Sequence, residues 1–500
     1  MKKYYEASKM KKILPLIIAI MIMAYPATLI IVSGAPFHKQ EVNEVKIGVV
    51  TSRSGALGYY GDMEINGMIL GLMYELNISS FETVVPNMEW RLTYQDKVIH
   101  IIAEDDVDPQ TGLPDPSIAT QKARKLIEEK GVHILQGSAS SSSAIAITSI
   151  AEQYGIVFLV SPAADADITS QYFNKYVFQI SSNTWHDAIA GGTWAVENLG
   201  KKFAFIAPDY SWGYSTVECW STVIKEHGGE IVDVEYAPLT TTDFTPYIQR
   251  ILASEAEVLI PVWAGGTAVY LYAQLKALGV YEQMNVTSGI PDLATLNLLL
   301  AQYLPAYTGM MKYAWSLPDN DVNDWLVNKY VELYKQGNLP TMGVFLPAFP
   351  LPDLFVGNGF MVGQAIARAL LATNWDPSSD ALISALEDME FDSPKGRVKI
   401  RAVDHRTIQD MYIAKIVFDN ETLHRYYENI SYLPALYQPF YNVGFLRPEL
   451  VERMEAVSPP VEVQTGISPF IIQMVSIAII LIIVVIVAVF IYYRKRKQAT

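Results

Sequence analysis

The chain has 500 residues, 51% of them hydrophobic and 18% charged, and carries a formal net charge of −15. That length accommodates two or three domains of ordinary size, each with its own core. The acidic balance, with no basic stripe outside the termini, excludes a nucleic-acid partner of the usual kind, whose phosphates require clustered Lys and Arg.

In chain order, Lys2, Lys3, Lys9, Lys11 and Lys12 precede an apolar stretch over 13–32, and the small residues Ser33-Gly34-Ala35 follow. A positive flank, an apolar run and a small-residue exit form a secretory signal. Residues 1–35 are therefore expected to be a signal peptide or, given the length of the run, an uncleaved anchor. Residues 45–50 then read as a buried strand, followed by a Gly-rich turn and a helix over 63–76. Asp115-Pro116 places a cap and a first-turn proline at the head of the next helix. Its apolar Ile118, Ala119, Ala123, Leu126 and Ile127 recur at helical spacing, with Lys122, Arg124, Lys125, Glu128 and Glu129 on the wet face.

Strand patterns at 132–135, 156–160, 202–207, 231–236 and 257–262 alternate with further helical stretches. Gly131, Gly155, Gly200, Gly228 and Gly279 each fall just after a helix pattern, where a left-handed residue closes the last turn. The alternation predicts an α/β fold with parallel sheets covered by helices on both faces. Ligands of such folds gather at the carboxyl ends of the strands.

Towards the end, 447–468 reads as a stalk and 469–493 as a transmembrane helix. No charge occurs over 470–493, and at about 1.5 Å per residue the run spans a hydrocarbon core of roughly 30 Å. Arg494-Lys495-Arg496-Lys497 opens a basic tail over 494–500, which the positive-inside rule places in the cytoplasm. The bulk of the chain is then extracytoplasmic. One cysteine, Cys219, leaves no partner for an intramolecular disulfide.

Signatures of catalysis are missing from the sequence: it has no Gly-x-Ser-x-Gly elbow, no His-Glu-x-x-His and no phosphate loop, and its histidines are scattered. No catalytic residue, metal site or cofactor is expected. Gly357-Asn358-Gly359 with Gly363 has one residue too many for a dinucleotide fingerprint and reads as close helix packing. The run Gly137-Ser138-Ala139-Ser140-Ser141-Ser142-Ser143 follows a strand and opens a helix. Its free N–H groups and hydroxyls can hold a carboxylate at a cleft without Arg or Lys. The same serines can also simply cap the helix.

Taken together, several loops resemble the type I periplasmic binding proteins of branched-chain amino acid transporters over roughly 45–415. The matching pieces run from Ile47 to Gly55, then Tyr60-Gly61, Asp115 to Ala119, the serine run, Ser161-Pro162-Ala163-Ala164, Asp209 to Gly213 and Gln274 to Gly279. The resemblance implies two doubly wound lobes, at 44–180 with 308–390 and at 181–307 with 391–446, closing on a ligand in the cleft. It implies that Ser141, with Ser142 beside it, binds a ligand carboxylate. Ala163 and Asp165 would stand around the ammonium, with Asp165 where the family has Thr, and Asp292 would be its acidic partner. Tyr60, Trp212 and Trp263 would wall the pocket.

By the same resemblance the partners are a small solute (an amino acid, an amide or a short peptide) and the permease and ATPase subunits of an ABC importer. A sensory ectodomain signalling through a membrane partner and a membrane-anchored hydrolase are the alternatives.

Overall fold

Strand Glu44–Thr51 buries Val45, Ile47 and Val49 on one side and Val50 on the other, as a strand covered on both faces must. It is the centre of a seven-stranded sheet in a computed structural model that describes residues 43–296, 300, 303–304, 308–339, 349–418 and, as a strand path only, 441–449. The expected signal segment, stalk, transmembrane helix and basic tail lie outside those residues.

Lys97–Asp105, Glu44–Thr51, Ile134–Gly137, Val157–Val160 and Val177–Gln179 run parallel in that sheet. The sheet is nevertheless mixed. Glu82–Val85 and Glu89–Tyr94 add an antiparallel edge that the alternation of strands and helices did not predict.

A second sheet aligns Glu230–Ala237, Lys202–Pro208, Val258–Pro261 and Asn285–Val286, all parallel. Phe203, Phe205 and Ala207 face helix Ser211–Glu226, while Ala204 and Ile206 face the helices Thr245–Ala253 and Ala268–Ala277. Thr308–Met311 continues from this sheet: Met310 N–H donates to Ser288 O, and Ile290 N–H to Met310 O. It then pairs antiparallel with Met411–Phe418, which pairs with Tyr441–Glu449.

A small antiparallel sheet, Glu390–Ser393, Gly396–Ile400 and Thr407–Ile408, buries Phe391, Val398 and Ile400 in the core of the first sheet. It is pinned to the first sheet by a bridge between Gln179 and Arg406, and by Thr407 Oγ1 donating to Ile180 O at 3.0 Å.

The expected cap at Asp115 is present: its Oδ1 accepts from the N–H groups of Ser117 and Ile118, at 2.8 and 2.9 Å. Gly131, Gly155, Gly228 and Gly279 are left-handed as expected. Gly200 is not. There the missing side chain admits the Glu257 carboxylate, which a Cβ would meet at 2.8 Å and which accepts the N–H of Lys201 and of Lys202.

The glycine series at 357–363 does pack helices. Leu354–Ala372 crosses Gly58–Glu75 so closely that a Cβ on Gly67 would fall 2.1 Å from Val356 O, and one on Gly359 would fall 2.2 Å from Glu64 O. Among the described residues Leu354–Ala372 is also the one helix long and apolar enough to cross a membrane, but it is buried in the core of the protein.

Candidate functional site

The loops at the carboxyl ends of the parallel strands in both sheets line a cavity of about 120 Å³. That is close to the ~150 Å³ of an engineered cavity that holds benzene. Among the residues named from sequence, Tyr60, Ser141, Trp212, Trp263 and Asp292 line it.

Ser140, not Ser141, caps the serine helix Ser141–Tyr154, accepting from Ser143 N–H at 3.4 Å. That leaves Ser141 in the first turn at the cavity. Its Oγ accepts from the N–H groups of Ala164 and Asp165, at 3.3 and 3.2 Å, so its own O–H is free to donate. The capping and the cleft-facing readings of the serine run therefore belong to different serines.

Tyr60 reaches across the cleft. Its O–H donates to Asp292 Oδ2 at 3.3 Å and accepts from Gly265 N–H at 3.4 Å. Its ring packs edge-on against Phe355 at 5.0 Å. Asp292 caps the short turn Leu293–Thr295 through Thr295 N–H at 2.7 Å. Trp263 packs edge-on against Phe244 at 4.8 Å, and its indole N–H donates to Thr267 Oγ1 at 3.0 Å.

Next to Asp292, Asp353 accepts from the N–H groups of Leu293, Ala294 and Leu354. Burial raises both carboxyls. That of Asp353 is pushed up to about 8 by burial and by the charge of Asp292.

Ala163, Asp165 and Ser142 do not line the cavity. The Ala163 carbonyl accepts from Gln179 Nε2 and Ser181 Oγ. Asp165 Oδ1 turns back to cap Ala166–Thr169 through Asp167 N–H at 2.9 Å, and burial raises its carboxyl to about 6. Ser142 Oγ lies 3.1 Å from Ser211 Oγ, a contact between the two helices that meet over the cleft.

The cavity also holds residues the sequence reading passed over: Asp187, Tyr210, Trp220 and Lys312. Lys312 Nζ is 2.9 Å from Asp187 Oδ2, and both side chains are buried. A lysine set in the apolar run Met310-Met311-Lys312-Tyr313-Ala314-Trp315 was the signal for this pair, since a buried cation needs a partner. Nearby, Lys395 donates to Gln409 Oε1 at 2.6 Å, and burial together with the charge of Lys312 lowers its amine to about 7. Among the described residues no group of three or more His, Cys, Asp or Glu could hold a metal ion.

Two α/β halves with a cavity at their strand ends define a binding protein of the cleft type. The profile of the Periplasmic binding protein family matches residues 44–421, and the chain belongs to that family. The Leu/Ile/Val-binding protein homolog 6 of Brucella suis is 26% identical over 312 residues, covering 60% of this chain and 74% of the relative.

Among solved structures, an ABC-type branched-chain amino acid transporter protein from Rhodopseudomonas palustris aligns with a TM-score of 0.61 and 26% identity, over 82% of this chain and 97% of that one. An ABC transporter substrate-binding protein from Sphaerobacter thermophilus aligns at 0.66 and 21% identity, over 81% and 98%. A solute-binding protein of R. palustris in complex with 4-hydroxybenzoate aligns at 0.64 and 20% identity, over 75% and 94%.

Proposed function

We propose that the chain is the extracytoplasmic solute receptor of an ABC importer, capturing an amino acid or a related small polar solute by closure of two lobes. The observation that carries this reading is the cavity itself. It is lined by Tyr60 and Ser141, which follow strands of the first sheet, and by Trp212, Trp263 and Asp292, which follow strands of the second.

Lobe one comprises 44–180 with 308–390, and lobe two comprises 181–307 with 391–446. Ser141 and the first-turn N–H groups of its helix receive a carboxylate. Asp292 receives a cationic or donor group, and Trp212 and Trp263 cover the rest. The run over 469–493 anchors the receptor, and a separate permease with its ATPase subunits takes the released solute.

The test is thermal unfolding of the full-length protein in detergent micelles against amino acids, amides, short peptides and aromatic acids. A ligand at a hundred times its dissociation constant stabilises the folded state by about 2.7 kcal/mol. Stabilisation by an amino acid that is recovered unchanged supports the reading. A solute that is consumed, or no stabilisation by any of the set, overturns it.

A further inference from the structure

Asp187 and Lys312 are 3% and 8% exposed, and both face the cavity. Asp187 Oδ2 is held by Lys312 Nζ, but Oδ1 is buried with no hydrogen-bond partner. An ammonium has three N–H donors, so Lys312 retains two beyond the one given to Asp187. Trp220, on the same wall, also has a buried indole N–H without a partner.

The positions are set firmly. Asp187 enters a π-helical turn over Ala188–Gly192, a distortion that occurs often at functional sites. A Cβ on Gly191, in that turn, would lie 2.3 Å from the Trp220 ring. A buried acceptor left unmet is costly, and so is a buried charge offered the wrong sign. The pair as a whole is neutral. An approaching anion meets the bare Oδ1, and an approaching cation meets Lys312. What fits both is a neutral group that donates to Oδ1 and accepts from Nζ.

We infer that Asp187 and Lys312 form a polar subsite for a neutral donor–acceptor group, a carboxamide or a hydroxyl, at the far end of the solute. This deepens the receptor reading and rests on it. The subsite selects solutes with a polar far end over aliphatic or plain aromatic ones of the same size.

Calorimetric titration of the full-length protein in micelles with two matched pairs tests it: L-leucine against L-glutamine, and benzoate against 4-hydroxybenzoate. In at least one pair the polar member binds tenfold tighter or more. The double variant Asp187→Leu/Lys312→Met, which removes both charges together and leaves neither stranded, reduces that ratio below threefold while the plain member changes less than threefold.

Equal or tighter binding of the plain member in both pairs overturns the inference and leaves the receptor reading standing, as when water alone satisfies the pair. A ratio that survives the double variant also overturns it. If none of the four solutes binds, the receptor reading fails for these classes and the subsite with it. Where the variant does not fold, a ratio near one in the unaltered protein still overturns the inference.

Discussion

The two walls of the cavity are built by different means. On the first-sheet side the polar groups are local: Ser141 belongs to a helix start whose cap is its own neighbour, and its Oγ is held by the backbone of one loop. Behind that wall two helices meet backbone to backbone through glycines. On the second-sheet side the wall is aromatic. Its Asp187, on a helix, pairs with Lys312 from the lobe-one segment, just after strand Thr308–Met311 and far away in the chain. The first wall provides direction through N–H and O–H groups. The second provides area and charge, both of which depend on the whole fold being assembled.

The strongest way to break the first wall is to separate its helices. Gly359→Leu places side-chain atoms on Glu64 O and should prevent folding. Even Gly359→Ala, whose Cβ meets that oxygen at 2.2 Å, should cost about 3 kcal/mol or more, at the upper end of overpacking penalties, in denaturant titration.

Glu64 offers a pH-dependent test of the same wall. It is buried, accepts from Gln136 Nε2 at 2.9 Å, and burial raises its carboxyl from 4.5 to about 8. Between those values the folded state holds a proton that the unfolded state releases. Its contribution is therefore intact below about 4.5 and is lost as pH rises to about 8. Glu64→Gln should flatten stability across that window and add on the order of 4 kcal/mol at pH 8, at 1.36 kcal/mol per pKa unit. A Tm profile against pH reads both.

Smaller effects compare the walls as binding surfaces. Ser141→Ala should weaken whichever solute stabilises the protein about tenfold, near the ~1.5–3 kcal/mol of a hydrogen bond to a charged group. Asp165→Asn, behind the wall, should change affinity less than twofold. If Asp165→Asn proves the more damaging, the ligand lies deeper under the serine loop than the cavity does. Tyr60→Phe removes the O–H that joins Asp292 and Gly265 across the cleft. It should weaken binding about threefold, mainly through faster dissociation, at roughly 0.5–1.5 kcal/mol for a neutral hydrogen bond. Stopped-flow release kinetics check this.

Much of the architecture could be read from residues near one another in the chain. The cap at Asp115, the left-handed glycines at 131 and 155, the strands through Val258–Pro261 and the glycine helix all announce themselves within a few positions. The antiparallel edge at Glu82–Tyr94 did not, because a short, half-exposed strand has little apolar periodicity to show.

Of the site, Tyr60, Ser141 and Trp212 sit in loops whose sequence carries the family's pattern, and they come together with Trp263 and Asp292 at the cavity. Asp165 sits in such a loop too, yet its carboxylate turns to the nearest free N–H, that of Asp167.

Local chemistry, then, was settled by the sequence: which segments are strands, where helices begin, which serines can offer N–H and O–H groups, and that the family is one of solute binders. Only the tertiary structure decided which carboxylates face the cavity and that Lys312 finds Asp187. A side chain's partner across a cleft depends on strand order and crossover, and the short-range rules of capping, periodicity and propensity contain neither.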